Sequence, residues 1–417
     1  MFERPRGTRD FTPEEMARRR AVEAAFLRVA RRFGYGEVAT PTFEHAQLFI
    51  TKSGPGILEE LYAFQDKGGR ELALRPELTA PIVRFYLSEL RSRPQPLKLF
   101  YLGTCFRYDE PQFGRYREFY QFGVEILGGS LLQTDAEVIA TAVEAVREAG
   151  LTGFQVRVGH IGLIRDLLDT DDDRKARILN ALDKRRPDAL AEELEAAGLG
   201  ELRKNLWAVV ELRGGPEVLE RARGLLGEQE GLQYLRELGD ILGGYGVDPI
   251  TYDLGVVRGL DYYTGAVFEL HYEPLGAASQ ICGGGSYTLT DLLGGDPLAT
   301  TGFGMGFDRV LLALEKAGVK LPEVRLDVYI LPVGDHMRDA GYEVLRRVRA
   351  AGLSADVDLT GRGPSKNLEH ADALGARKAV VVGEREWEDG KVGVKDLETG
   401  EQTDVAVEDL VSALGGS

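Results

Sequence analysis

The residues with the clearest potential for chemistry lie in the segment 106–125, FRYDEPQFGRYREFYQFGVE. Its second half is typical of a β-strand, in which side chains alternate between two faces. One face suits a hydrophobic core and carries Tyr120, Phe122, Val124 and Ile126. The other face carries Phe119, Gln121, Gly123 and Glu125. An aromatic ring, an amide, a position without a side chain and a carboxylate therefore follow one another on a single face.

The strand that precedes this one provides a partner for the polar face. If the two strands pair as a β-hairpin, Arg107 faces the same floor as Gln121 and Glu125. The connecting loop carries Gln112, Arg115 and Arg117. Such a floor could hold a flat base, a phosphate and an ammonium group together. A hairpin with charged residues on its solvated face is common, however, and the alternation alone favours that simpler interpretation.

Further polar and charged residues lie beside predicted strand or helix ends. Glu77 and Thr79 follow an apolar strand, at a place where a glutamate usually interacts with a helix dipole. Arg258 stands among glycines, and its ordinary role would be a turn residue stacked on an aromatic ring. Arg309 falls in the first turn of a predicted helix, where a cation opposes the dipole. A nearby triphosphate would explain that position, and a surface pair with Glu315 is the alternative.

Length and composition limit the class of protein. A chain of 417 residues, 43% hydrophobic and 28% charged, predicts a globular protein of two or three domains. The formal net charge of −16 argues against a nucleic-acid binder, although a local basic face is compatible with it. Two distant cysteines, Cys105 and Cys282, fit a reducing cytoplasm and no zinc or disulfide pattern. No apolar run could span a bilayer, so we expect a cytoplasmic protein without a membrane partner.

The order of strand and helix patterns predicts four segments. Residues 1–163 and 246–321 are rich in strand patterns and are interpreted as two parts of one core. Residues 164–245 are almost entirely helical and leucine-rich, which predicts an inserted helical domain. Residues 326–417 alternate between strands and helices, which predicts a separate small α/β domain.

Several strings resemble the motifs of a known family. The segment 106–125 resembles motif 2 of class II aminoacyl-tRNA synthetases, in the form found in histidyl-tRNA synthetases. The string RGLDYYTG closely resembles the histidine-specific motif of that family. Motif 1 of the family is similar to the string EVATPTFEHAQLF, and motif 3 is similar to TTGFGMGFDRVLL. The string LRPELT is similar to the family's amino-acid-binding segment. The resemblance covers essentially the whole chain. It implies a class II α+β core on an antiparallel sheet, with a helical insertion and a C-terminal α/β anticodon-binding domain.

The resemblance implies a two-step reaction that uses ATP and Mg²⁺. The carboxylate of L-histidine attacks the α-phosphate of ATP, and the 3′ end of tRNA(His) then accepts the histidyl group. The implied catalytic residues are Arg107, Arg258 and Arg309. The implied histidine-binding residues are Glu77, Thr79, Arg107, Gln121, Glu125, Arg258, Tyr262 and Tyr263. The implied ATP-binding residues are Arg107, Asp109, Arg115, Phe119 and Arg309.

The resemblance also implies contacts with tRNA and with a second subunit. Candidates for tRNA contact are Gln112, Arg117, Arg362, Lys366 and Asn367. Motif 1 builds the dimer interface in the family, so a homodimer is expected. The helical insertion is expected near the acceptor arm of the tRNA.

Three positions depart from the family pattern. Asp109 replaces the glutamate that usually follows the motif 2 arginine, and it is expected to reach magnesium or the ATP amino group through a shorter side chain. No residue is firmly assigned as a metal ligand. Ser286 and Thr288 stand where arginine and aspartate are usual, which changes the expected shape of the pocket wall.

Two alternative functions are compatible with the core. The first is the regulatory subunit of ATP phosphoribosyltransferase, a non-catalytic relative that typically lacks the anticodon-binding domain and loses catalytic arginines. The second is a class II synthetase for proline, threonine or glycine. The presence of Arg107, Arg258, Arg309 and residues 326–417 argues against the first, and the strings RGLDYYTG and QFGVE argue against the second. Histidine–tRNA ligation is therefore the expected function.

Overall fold

A computed structural model describes residues 2–110, 112–183, 185–256, 263–323 and 325–415. The chain divides into two compact units, with the boundary after residue 321. Two residues predicted to act in the site, Arg258 and Tyr262, lie outside the described residues.

The first unit is a mixed α/β structure. Its strands are β1 (Gly36–Glu37), β2 (Phe43–His45), β3 (Ala63–Gln65), β4 (Glu71–Leu74), β5 (Leu97–Phe106), β6 (Glu118–Leu127), β7 (Gln155–His160), β8 (Arg213–Gly214), β9 (Ile250–Asp253), β10 (Tyr263–His271), β11 (Gln280–Tyr287) and β12 (Thr300–Gly306). Its helices are α1 (Pro13–Arg32), α2 (Ala46–Ser53), α3 (Thr79–Phe85), α4 (Leu131–Glu148), α5 (Gly162–Arg165), α6 (Asp172–Asp183), α7 (Pro187–Ala196), α8 (Arg203–Val210), α9 (Glu217–Leu226), α10 (Glu230–Gly244) and α11 (Phe307–Lys316).

One large sheet organises this unit. In the described part of the chain it has nine strands, in the order β1-β5-β6-β12-β11-β10-β7-β9-β8. The run from β5 through β6, β12, β11 and β10 to β7 is antiparallel throughout. The predicted β5–β6 hairpin forms, with Gly103 opposite Gln121 and Cys105 opposite Phe119. The antiparallel class II core predicted for the protein is thus present.

Helices α1 and α4 cover the apolar face of the sheet. Helix α1 begins with a capping box, because the Thr12 side chain accepts the N–H of Glu15 while the Glu15 carboxylate accepts the N–H of Thr12. Its fully buried Phe26 lies 4.9 Å, between ring centroids, from Phe122 on β6. The face of β6 predicted to enter the core therefore does so, which leaves the opposite face for the site.

The helices of the segment 164–245 pack in two different ways. Helices α6, α7 and α8 share their own apolar cluster, which includes Leu182, Leu190 and Leu206. Helices α9 and α10 bury Leu219 and Leu235 in the cluster of the main sheet instead. An independent insertion would therefore be confined to α6, α7 and α8, and the segment boundaries stay a prediction.

The second unit, from residue 322, has its own sheet and core. Its strands, β13 (Val328–Pro332), β14 (Ala355–Val357), β15 (Lys378–Val382), β16 (Lys391–Asp396) and β17 (Gln402–Ala406), lie in the order β14-β13-β15-β16-β17. Its helices are α12 (Arg338–Ala350), α13 (Pro364–Ala373), α14 (Glu384–Glu388) and α15 (Leu410–Leu414). Strands β14, β13 and β15 are parallel, as the α/β pattern predicts. Among the helices that the structure describes, none combines the length and apolarity needed to cross a bilayer.

Candidate active site

The polar face of β6 is the floor of a cavity of about 900 Å³ in the first unit. Strands β10, β11 and β12 continue this floor. The cavity brings together most of the described residues predicted to act there, namely Glu77, Thr79, Arg107, Asp109, Arg115, Phe119, Gln121, Glu125, Tyr263 and Arg309. Glu125 and Phe119 are six residues apart on one strand, which corresponds to about 20 Å. The cavity therefore has two ends with different chemistry.

Alternating glycines on β12 make room for the polar residues of β6. A Cβ atom at Gly302 would overlap the Glu125 carboxylate, and one at Gly304 would overlap the Gln121 amide. Their register is consistent with this, because Gly302 lies opposite Glu125, and Gly304 lies opposite Gly283 on β11 and Gly123 on β6. The alternation in TTGFGMGF was thus a readable signal for a floor of this kind.

The carboxylate end of the cavity consists of Lys52, Glu77, Thr79, Glu125 and Tyr287. Glu125 is 1% exposed, and its two oxygens accept hydrogen bonds from Thr79 Oγ1 at 2.9 Å and from the Tyr287 hydroxyl at 2.6 Å. Burial raises the pKa of Glu125 to about 7. The residue can therefore change its protonation state near neutral pH.

Glu77 has two kinds of partner at this end. Its carboxylate accepts the backbone N–H groups of Thr79, at 2.6 Å, and of Ala80, at the start of α3. This is the helix-terminus role that a glutamate at such a position ordinarily has. The same carboxylate also lies 3.2 Å from the Lys52 ammonium group, in a nearly buried ion pair.

The arginine end of the cavity consists of Phe119, Asp308 and Arg309. Arg309 lies in the first turn of α11, where its Nε donates to the Gly114 carbonyl at 3.0 Å and a terminal nitrogen donates to the Gln280 carbonyl at 2.8 Å. The predicted position in a first turn is confirmed. These two carbonyl bonds orient the guanidinium group in the lining of the cavity, where a cation attracts an anion.

Arg107 lies between the two ends. Its Nε donates to the Pro76 carbonyl at 3.0 Å, directly before Glu77. Its guanidinium carbon lies 5.3 Å from the centre of the Phe119 ring. A single arginine therefore reaches the surroundings of both ends.

Sequence reasoning missed the carboxylate of Asp308 and its partners. Asp308 is 5% exposed; it accepts hydrogen bonds from Arg9 at 2.7 Å, from Arg19 at 2.5 Å and from the Tyr120 N–H at 3.0 Å. The Arg9 guanidinium carbon also lies 3.5 Å from the centre of the Tyr116 ring. These contacts join the start of the chain to the β5–β6 loop and to α11. Nothing in the string RPRGTRDF indicates partners about 300 positions away.

Other predicted residues lie outside the cavity lining. Gln112 pairs with Arg115 in the turn of the loop, and Arg117 stacks on Tyr108 and donates to the Asp109 carbonyl. In the second unit, Lys366 is exposed and Arg362 pairs with Asp358.

The expectation that Asn367 contacts RNA was wrong. Asn367 is 1% exposed and bonded to Tyr329, Asp358 and the Arg362 carbonyl, so it is a structural residue rather than an RNA contact.

The departure at Ser286 lies behind the floor rather than in the pocket wall. Its hydroxyl donates to the buried carboxylate of Asp135 on α4 at 2.7 Å. Thr301 and Tyr234 donate to the same carboxylate at 2.6 Å. Burial raises the pKa of Asp135 to about 6. The next residue, Tyr287, points to the opposite face and lines the cavity. Ser286 therefore affects the layer under the site.

Comparison with known families identifies this arrangement. A family model described as histidyl-tRNA synthetase matches residues 7–310, and one described as anticodon binding domain matches residues 327–416. The chain belongs to the histidyl-tRNA synthetase family. The predicted family and class II fold are confirmed.

Individual relatives agree with this assignment over nearly the full chain. The histidine–tRNA ligase of Archaeoglobus fulgidus is 44% identical over 415 residues, which cover 99% of both chains. The crystal structure of apo S. aureus histidyl-tRNA synthetase matches with a TM-score of 0.78 and 32% identity, over 99% of this chain and all of that one.

One solved structure bears on the regulatory alternative. It is described as an ATP phosphoribosyltransferase regulatory subunit/histidyl-tRNA synthetase from Bacillus halodurans C, and it is 30% identical with a TM-score of 0.78 over 92% of this chain and 98% of that one. The relatives with the higher identities, including the archaeal one, are named histidine–tRNA ligases. The regulatory alternative is therefore less supported than the ligase.

Proposed function

We propose that this chain is a histidine–tRNA ligase that forms histidyl-adenylate in the 900 Å³ cavity and transfers the histidyl group to tRNA(His). The single observation that supports the proposal is that the carboxylate end and the arginine end lie in the same cavity. A buried carboxylate suits the polar groups of an amino acid, and an oriented arginine suits the phosphates of ATP.

In the first step, the arginines position and neutralise the reacting phosphates. Arg107 contacts the amino-acid carboxylate and the α-phosphate, since it lies between the two ends. Arg309 binds the outer phosphates, and the Phe119 ring stacks on adenine. Arg258, outside the described residues, supplies further positive charge at the α-phosphate. The substrate carboxylate is itself the nucleophile, so catalysis consists of positioning and charge stabilisation.

Histidine selection belongs to the carboxylate end. Glu77 and Thr79 bind the substrate ammonium group, while Gln121, Glu125 and the tyrosine pair that includes Tyr263 surround the imidazole. A site that hydrogen-bonds both imidazole nitrogens rejects amino acids that cannot satisfy its polar groups, because those groups would be left buried and unpaired.

Magnesium would be held mainly by ATP. In the described ranges, no cluster of three histidine, cysteine or acidic side chains is suited to a metal ion. The Asp109 carboxylate lines the cavity and provides the hard oxygen that Mg²⁺ prefers, whereas the Asp308 oxygens already accept bonds from Arg9, Arg19 and Tyr120. Asp109 and the phosphates together are the proposed ligands, and the ion would neutralise phosphate charge.

The remaining partners are proposed from the family and from exposed residues. Gln112, Arg117, Arg362 and Lys366 are the proposed tRNA contacts. A homodimer is supported by the small sheet β2-β4-β3, whose half-exposed Phe43 and Phe64 rings lie 6.3 Å apart. An exposed aromatic pair of this kind suits a subunit interface. The proposed compartment is the cytoplasm.

Amino-acid-dependent exchange of pyrophosphate into ATP tests the activation step. We expect exchange with histidine and none with proline, threonine or glycine. Charging of tRNA(His) transcripts then tests the transfer step. A chain that binds histidine but supports no exchange would favour the regulatory alternative, and equal exchange with proline would contradict histidine specificity.

A further inference from the structure

Lys52 is a nearly buried lysine that lines the cavity at its carboxylate end. Its side chain is 6% exposed and lies in the last turn of α2. Its ammonium group is 3.2 Å from the Glu77 carboxylate. Burial of an ammonium group is costly unless an opposite charge compensates it. The Glu77 carboxylate provides that opposite charge, and the resulting ion pair lies in the lining of the cavity.

The charge balance around Glu125 points to a further role for this ion pair. The titratable groups that act on or around Glu125 are Lys52, Glu77, Tyr35, Tyr101 and Tyr287. Among the described residues, Lys52 is the one whose positive charge acts on the Glu125 pKa in this group. Its field lowers the pKa of Glu125, whereas the field of Glu77 raises it. With both glutamates ionised, Lys52, Glu77 and Glu125 together carry one net negative charge, which matches one ammonium group.

We propose that Lys52 is a specificity-determining residue that sets the charge of the amino-acid pocket through Glu77. It keeps the pocket suited to a substrate with one ammonium group and an uncharged side chain, and it disfavours amino acids that carry a second positive charge. This inference rests on the proposed function, because it assigns the carboxylate end to histidine.

A purely structural ion pair between α2 and α3 is the competing explanation. Such a pair would hold the two helices together, and its loss would lower stability without a preference for one substrate. Both partners line the cavity, however, and Thr79 connects this pair to Glu125. The two explanations therefore differ in what they predict for substrate selection and pH dependence.

The test uses Lys52→Gln, which keeps a hydrogen-bond donor near Glu77 but removes the charge. In pyrophosphate exchange near pH 7 we expect KM for histidine to rise about tenfold or more, because a larger fraction of Glu125 is protonated and cannot act as the ionised acceptor for the imidazole, with KM for ATP little changed. We also expect L-ornithine, which has a second ammonium group, to become a stronger competitive inhibitor relative to histidine. Lys52→Arg retains the charge and should keep the wild-type selectivity. Lys67→Gln removes an exposed lysine of the same unit and is the matched control.

A pH profile gives a readout that a structural role would not move. Loss of a positive charge favours the protonated form of Glu125, so the acidic side of the kcat/KM profile for histidine should shift to higher pH in Lys52→Gln. The imidazole of free histidine titrates in the same way in the wild-type and Lys52→Gln assays. The difference between the two pH profiles therefore reflects a group of the protein.

The outcomes separate this inference from the function beneath it. If the wild type shows no histidine-dependent exchange, the proposed function fails. If the wild type is active and Lys52→Gln retains its KM, ornithine inhibition and pH profile, only the role of Lys52 is overturned. Equal increases in both KM values would indicate general damage and would also overturn it. If Lys52→Gln does not fold, the same measurements are made on Lys52→Met, whose side chain is of similar length and also uncharged.

Discussion

The two ends of the cavity hold their functional side chains in the same way but use opposite charges. At the carboxylate end, hydroxyl groups of Thr79 and Tyr287 hold Glu125. At the arginine end, backbone carbonyls of Gly114 and Gln280 hold Arg309. In both cases neutral groups hydrogen-bond a charged side chain and orient it in the lining of the cavity.

Asp308 differs from these two residues although it also lines the cavity. Two arginines, Arg9 and Arg19, ion-pair with its carboxylate, so its charge is compensated inside the protein. The comparison suggests a rule for this site. Glu125 and Arg309, which neutral groups orient, are proposed to meet the substrate, whereas Asp308, which two arginines hold, positions the elements around it. The predictions below test that rule.

The largest effect is expected for Arg309→Gln. The glutamine retains polarity but loses the charge that would stabilise the phosphates, so histidine-dependent pyrophosphate exchange should fall by about 10³-fold or more. Lys316→Gln, an exposed change at the other end of α11, is the control. A similar loss of exchange in both variants, or a mild loss in Arg309→Gln, would contradict the role proposed for Arg309 at the arginine end.

A smaller and more selective effect is expected for Glu125→Gln. Its kcat/KM for histidine should fall by about 10²-fold, while KM for ATP stays near the wild-type value, because the change leaves a buried substrate donor poorly matched. Burial raises the pKa of Glu125 to about 7, and the ionised form is the acceptor, so wild-type kcat/KM should fall as pH drops below 7. The variant should show a shallower acidic side, set by free histidine alone. A profile identical to the wild type would contradict a role for this carboxylate.

Arg9→Gln should have an intermediate and indirect effect. Asp308 would keep Arg19 but lose one partner, and the ring of Tyr116 would lose its cation, so α11 and the β5–β6 loop would be less well positioned. We expect KM for ATP to rise several-fold and Tm to fall, with KM for histidine nearly unchanged. An effect on histidine as large as that on ATP would show that the two ends are not separable.

The smallest effect on activity is expected for Asp135→Asn, under the floor. The pKa of Asp135 is raised from 3.8 to about 6 by burial, so between these values the folded state binds more protons than the unfolded state. Wild-type stability should therefore decrease as pH rises through this window, with a slope of up to about 1.4 kcal/mol per pH unit from this residue. Denaturant unfolding at several pH values should show that slope missing in the variant, while amino-acid activation persists. A variant with an unchanged slope would refute the assignment.

Much of the fold could be predicted because its signals are local. The alternation along β6 separated Phe122 and Val124, which enter the core, from Gln121 and Glu125, which line the cavity. Alternation of side chains with a period of two is a property of any extended strand, so it can be recognised in the sequence without knowing which strands lie beside it. The glycines of β12 were equally visible, although their reason, room for Glu125 and Gln121, required the register.

The sequence by itself determined the family, the hairpin and most of the residues that share the cavity, because these depend on strings of adjacent residues. Only the tertiary structure decided which charges meet. It paired Asp308 with Arg9 across about 300 positions, brought Lys52 to Glu77, and turned Ser286 toward Asp135 instead of the pocket. The ion pairs and hydrogen bonds named here require their charged groups to lie within a few ångströms in space. Spacing along the chain does not set that distance, because it depends on how the sheet and helices assemble.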